Sequence, residues 1–154
     1  ISTLILTSHV KDGVALCKEY KVPQDIIDIV EQHHGNSYAS FFYAKAISLY
    51  GENNVNKDDY RYPGPKPQTK EAAIIMIADS CEAAVRSLSN HGNNKIDNMV
   101  HKIINQKLND GQFDECDISM KELMVVATVY IKILSSMFHS RIEYPENIVE
   151  TEAR

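Results

Sequence analysis

The residues best suited to chemistry in this chain are three imidazoles and one carboxylate: His9, the adjacent pair His33-His34, and Asp79. Asp79 lies in Glu71-Ala-Ala-Ile-Ile-Met-Ile-Ala-Asp-Ser-Cys-Glu-Ala-Ala-Val-Arg86, a stretch that is apolar nearly all the way round a helix. A helix without a polar face is buried, and a buried carboxylate is costly unless a cation, a metal or several donors offset it. Asp79 is therefore expected to sit inside the core with a partner. Neutral imidazoles are good transition-metal ligands, and a carboxylate is their natural companion or a bridge between two metals. Adjacent residues project about 100° apart around a helix, so His33 and His34 cannot face one point symmetrically, but at a helix end both can border one cleft. The pattern suggests three helices converging on one site. Plainer readings stand beside it: a lone helical His is commonly a partly buried histidine, two at a helix C-terminus interact with its negative end, and Asp79 can pair with a Lys or Arg.

A second group of candidates surrounds an anion rather than a metal. The run Tyr60-Arg-Tyr-Pro-Gly-Pro-Lys-Pro67 is stiffened by its prolines, and its aromatic rings, Tyr62 among them, could stack on a base while Arg61 or Lys66 meets a phosphate. The alternative is a rigid surface turn. Arg86 lies two helical turns after Asp79 on about the same face, and Arg141 sits beside an aromatic in His139-Ser-Arg-Ile-Glu-Tyr-Pro145. Each is either part of a small anion pocket or a solvated charge.

The elements that must position these residues read as helices throughout. Ser2 is a candidate cap for a first helix carrying His9, with Gly13 either a break or a tolerated interior residue. Pro23 suits the first turn of a second helix, which stops at His33-His34-Gly35, where glycine supplies the C-terminal stop. Ser37 is the candidate cap of a third, ending at Gly51. Residues 51–68 form a long loop of the kind usually kept for function. Thr69 starts the central helix, which runs to about Leu88; a fifth occupies about residues 95–108, and a last one runs from Ser119 toward Phe138. No stretch alternates with period two long enough to be a strand. The chain is expected to be all-α.

Bulk properties narrow the function class. With 154 residues the chain is one domain's worth of sequence, and 44% hydrophobic with 24% charged residues is ordinary for a globular protein. The net charge of −5 and the lack of a basic cluster disfavour a nucleic-acid polymer or an anionic membrane as partner. No apolar run is long enough to span a bilayer. Cys17, Cys81 and Cys116 are widely spaced and odd in number, which fits free thiols in a reducing compartment, and no cysteine falls at zinc-ligand spacing near the histidines.

Five ordered motifs, Ser8-His-Val-Lys-Asp-Gly13, Glu31-Gln-His-His-Gly35, Tyr62-Pro-Gly-Pro-Lys-Pro67 with Lys70-Glu71, Ala78-Asp-Ser80 and Arg141-Ile-Glu-Tyr-Pro145, resemble the cytoplasmic HD domain of the seven-transmembrane HD proteins, the PgpH-type phosphodiesterases of cyclic di-AMP. The likeness covers residues 1–146 and leaves 147–154 as a tail. It implies an all-helical HD bundle on the cytoplasmic side of the cell membrane, with two divalent transition metals, iron or manganese, hydrolysing a cyclic dinucleotide to its linear form. Carried over, it makes His9 and His33 ligands of one metal and Asp79 a ligand of the other. It places His34 at the cleft as ligand or substrate contact, and Tyr62, Lys66, Arg86 and Arg141 at the substrate. No side-chain nucleophile is implied, because metal-activated water attacks. Members of this family also carry a His-Asp dipeptide, and no His in this chain is followed by Asp. The expectation is therefore a C-terminal portion of the domain without its first helices, inactive alone, with exposed apolar surface that a homo-oligomer would cover. A non-catalytic helical nucleotide-binding or interaction module is the competing class; convergence of His9, His33 and Asp79 separates the two.

Overall fold

The computed structural model describes residues 2–88 and 92–138; Arg141 and the rest of the last motif lie outside them. Among the described residues six α-helices follow in order: α1 (Ser2–Glu19), α2 (Gln24–Gln32), α3 (Ser40–Tyr50), α4 (Lys70–Arg86), α5 (Asn93–Asn109) and α6 (Met120–Met137), with two short 3-10 turns, Glu52–Asn54 and Lys57–Tyr60, between α3 and α4. Among the described residues the only extended pairing is a single antiparallel bridge between Tyr38 and Arg61. The all-α expectation holds.

The core is made by α4, α5 and α6. Ala73, Met76, Ile77, Cys81 and Val85 recur at three- and four-residue spacing on α4 and meet Ile96, Val100, Ile103 and Ile104 of α5 and Leu123, Val126, Ala127 and Leu134 of α6. This is the buried stripe that a 3.6-residue period produces. Tyr130 bridges α6 to α4 by donating its hydroxyl to the Ile74 carbonyl at 2.8 Å. A smaller cluster of Val10, Ala39 and Tyr62, flanked by Leu6 and Phe42, joins α1 to the loops around α3. Gly13 continues α1 without a break, and its missing side chain has a reason, since a Cβ there would meet Val30 Cγ1 of α2 at 3.3 Å.

The helix starts show which caps operate. Thr69 accepts from the Ala72 amide, and Ser119 and Glu122 form a reciprocal capping box at the start of α6. Glu122 also takes Lys70 Nζ at 2.8 Å; that bond, with those from Ser119, holds its carboxyl down to about 2. Ser37 does not cap α3. The helix begins at Ser40 with Ala39 at its cap position, while the Ser37 hydroxyl donates to the His34 carbonyl at 2.7 Å and accepts from Lys107 Nζ at 3.1 Å. Its turn-forming oxygen is used on the preceding turn.

The central helix also corrects an expectation. Glu71, Ile75, Asp79 and Ala83, spaced four apart, lie on an exposed edge of α4, and the Asp79 side chain keeps 47% of its surface. Short aliphatic residues make the sequence look uniformly apolar, but α2, α5 and α6 cover only part of the helix. Asp79 therefore borders the histidines from an open edge rather than from inside the core.

Candidate metal centre

His9 reaches the site from the middle of α1, and His33 and His34 from the end of α2. In both His9 and His33 the ring is tied to its own helix. His9 Nδ1 bonds the Leu6 carbonyl, and His33 Nδ1 lies 2.6 Å from the Val30 carbonyl. A carbonyl can only accept, so each Nδ1 carries the proton and each Nε2 presents a lone pair. Those two Nε2 atoms face each other at 3.3 Å. Two acceptors at that separation repel unless a shared proton or a cation lies between them.

His34 completes the cluster. One ligand nitrogen from each of His9, His33 and His34 falls within 4.8 Å of the others, and the ring centroids of His34 lie 4.0 Å from His33 and 5.0 Å from His9. Burial, then the neighbouring imidazoles and Lys107, push its pKa down to about 3. It is a neutral imidazole near pH 7, the form that binds metal. Asp79 Oδ2 stands 3.7 Å from His34 Nδ1, too long for a hydrogen bond. With His34 neutral the pair is not an ion pair at that pH, whatever its geometry suggests. Among the described residues no Lys or Arg lies within ion-pair distance of Asp79, although Lys107 interacts with it through space.

The backbone around these side chains brings Tyr62 in as well. Ala39 donates to the Tyr60 carbonyl at 2.8 Å and Tyr62 to the Ser37 carbonyl at 2.9 Å. This short pairing lays the Tyr62 ring on His34, with centroids 4.2 Å apart and planes 23° from parallel. Burial and then Asp79 raise the Tyr62 pKa, so its phenol stays protonated. Buried Gln32 accepts from the Gln68 amide at 2.8 Å and so anchors the far end of the proline loop to α2.

The other candidates are engaged by acidic side chains. Lys66 bonds Asp114 at 3.3 Å, in the loop before α6. Arg61, proposed for a phosphate, is occupied by Asp58 at 3.0 Å, by Asp110 at 3.5 Å and by the Asn36 carbonyl at 2.9 Å. Arg86 is exposed and pairs with Glu82 one turn away. The sequence reading missed the partners supplied by α5 and its following turn: Lys107, Asp110 and Gln112. Lys107 is held below its ordinary pKa by burial, against the pull of Asp79 and Asp110. Their polar character in and after an amphipathic helix was visible, but not that they face the histidine turn. The set is a nitrogen and oxygen donor site with three neutral-capable imidazoles and a flanking carboxylate, which fits a divalent transition metal.

The chain is similar to known proteins over nearly its whole length. The chain is 50% identical to the cyclic-di-AMP phosphodiesterase PgpH of Bacillus subtilis over 95% of its own length and 20% of that protein. It is 47% identical to the Listeria monocytogenes PgpH over 93% of its length and 20% of that protein. The chain thus spans about a fifth of these relatives. Among solved structures, the L. monocytogenes PgpH HD domain in complex with cyclic di-AMP superposes with a TM-score of 0.84 at 47% identity, covering 93% of this chain and 66% of that one. A second structure of that domain gives 0.81 at 46% identity, over 90% and 64%. The sequence pattern of the HD domain matches residues 2–84, which carry His9, both histidines of the pair and Asp79, and the chain belongs to the HD domain family.

Proposed function

We propose that this chain is the part of a metal-dependent phosphodiesterase that binds metal through His9, His33 and His34, and that the protein to which it belongs hydrolyses cyclic di-AMP to the linear dinucleotide. The observation that carries the reading is the pair of Nε2 lone pairs opposed at 3.3 Å, an arrangement a cation relieves. Three imidazoles satisfy one metal, and Asp79 is the ligand this chain offers to a second; iron or manganese suits such donors. A bound metal supplies Lewis acidity at a phosphodiester oxygen and a water of lowered pKa. The chain's own residues fix the imidazole tautomers, keep His34 uncharged, and hold the Tyr62 ring against it. With its phenol protonated, Tyr62 can donate a hydrogen bond or stack at the nucleotide. Of the other candidates, Lys66, Arg86 and Arg141 remain proposed contacts for substrate, Lys66 and Arg86 requiring release from Asp114 and Glu82.

No histidine here is followed by aspartate, so the chain alone holds metal without a bridging carboxylate and does not turn substrate over. The activity belongs to the longer protein, on the cytoplasmic side of the membrane; among the described residues no helix is long and apolar enough to cross one. The test is metal analysis of the purified chain together with chromatographic assay of cyclic di-AMP hydrolysis. Substoichiometric or single metal without hydrolysis is expected, full activity with two bound metals overturns the inactive assignment, and no metal under any loading condition overturns the metal site. A homo-oligomer is proposed through the exposed Val125, Val129, Ile133 and Met137 of α6; sedimentation showing only monomer at high concentration would refute it.

A further inference from the structure

The pair His33-His34 stands on a turn, and the residues that hold this turn come from far along the chain. Gly35 continues it at φ +55°, and a Cβ there would lie 2.3 Å from Gln112 Oε1. Gln112, in the turn after α5, is fully buried. Its Oε1 accepts from the Asn36 amide at 3.2 Å, and its Nε2 donates to Asn36 Oδ1 and to Asp110 Oδ2, both at 2.8 Å. The same Asp110 carboxylate lies 3.5 Å from Arg61, whose guanidinium donates to the Asn36 carbonyl. Asn36 is therefore gripped at its amide, its side chain and its carbonyl. One residue on, Lys107 bonds the Ser37 hydroxyl, which in turn bonds the His34 carbonyl.

From this geometry we infer that Gln112 is a positioning residue for the metal centre: it sets the backbone path of the turn His34-Gly35-Asn36 and so the aim of the His34 imidazole. The inference rests on the metal reading of those imidazoles. The local reason is physical. His33 is tethered to its own helix through Val30, whereas among the described residues no carbonyl bonds the His34 ring, so the direction of His34 follows the turn beneath it. A buried carboxamide hydrogen-bonded at both its oxygen and its nitrogen is a stiff support, because any displacement leaves buried polar groups unpaired. Supports one step removed from a metal ligand change metal affinity by roughly 10–100-fold when lost.

The experiment compares the chain with its Gln112→Met variant, which keeps the side-chain length and removes both functions of the carboxamide. Two readouts are taken: Co²⁺ titration followed by visible absorption, and amide hydrogen exchange at Gly35, Asn36 and Ser37. Val100→Ala, a truncation in the α5 core away from the turn, serves as a control that lowers global stability. The expected result is Co²⁺ affinity weakened at least about tenfold with an altered visible band, and Asn36 exchange faster at least about tenfold, neither seen in Val100→Ala. Should Gln112→Met unfold the chain, Asn36→Ala, which removes only the side-chain acceptor of Nε2, is read the same way. Unchanged exchange and unchanged Co²⁺ affinity in a folded variant overturn the inference. A wild-type chain that binds no Co²⁺ overturns the metal reading instead, and the support of the turn by Gln112 is then decided by the exchange data.

Discussion

Gly35→Ala tests the turn under the histidine pair from the opposite side. At φ +55° an alanine pays for its Cβ, a cost of about 1–2 kcal/mol in the left-handed region. The added carbon also lands 2.3 Å from Gln112 Oε1 and 2.8 Å from Met76 Cε. The methionine methyl can swing aside, being the end of a flexible side chain. The carboxamide cannot, since moving it breaks its bonds to Asn36 and Asp110, each contributing about 1 kcal/mol. The sum is a destabilisation of about 4–5 kcal/mol, which with a urea slope of about 2 kcal/mol/M moves the midpoint down by about 2–2.5 M. Equilibrium urea unfolding followed by circular dichroism measures it. The contribution of Gln112 is isolated in a double-mutant cycle: in a Gln112→Ala background the collision is gone, and Gly35→Ala costs only the backbone share of about 1–2 kcal/mol. A midpoint shift below about 0.3 M in the single variant, or the same cost in both backgrounds, would refute the argument that this glycine is fixed by the carboxamide.

Four further outcomes follow from the same structure. His33→Ala removes one of the opposed Nε2 atoms and should abolish Co²⁺ binding in a titration while the helical circular dichroism stays as in the parent. Because the His34 pKa is lowered from 6.5 to about 3 in the folded chain, the unfolded state takes up the proton first; metal-free stability is full above pH 6.5 and falls as pH drops toward 3. His34→Gln flattens that limb in pH-dependent melting, leaving the lower one from Glu122, whose folded value of about 2 against 4.5 places its loss below pH 4.5. Ser119→Ala removes the cap of α6 and should cost about 1 kcal/mol by chemical denaturation. Tyr130→Phe leaves the Ile74 carbonyl without its hydroxyl partner and should cost about 1 kcal/mol, with faster exchange confined to the α4–α6 contact.

The parts of this fold legible in the sequence are those governed by neighbours in the chain. Thr69 and Ser119 declare helix starts because a cap acts within three residues, and both are caps in the structure. The helix-ending role of Gly35 was likewise local, and so was the approach of His33 to the end of α2. Ser37 misled because its hydroxyl had two uses, capping α3 or closing the preceding turn, and Lys107, 70 residues away, favours the second. Asp79 misled in a different way. Its helix is apolar by composition, but burial depends on which neighbours arrive, and they leave the Glu71, Ile75, Asp79 and Ala83 edge open. Gln112 was invisible: one glutamine after an Asn-Asp-Gly turn has no periodicity, and its partner Asn36 lies 76 residues earlier.

The three imidazoles reach a common ligand state by unlike means, and this decides where the site is robust. His9 and His33 owe their tautomer to carbonyls three residues back in their own helices, so wherever α1 and α2 form, those lone pairs point correctly. His34 owes its neutrality to burial and to the positive potential of its neighbours, and its direction to Tyr62 stacked on one face and to a turn braced by α5. Its readiness is a tertiary property. It therefore couples the candidate metal centre to the packing of α4, α5 and α6, and any change that loosens the far end of α5 reaches the proposed site through His34 before it reaches His9 or His33.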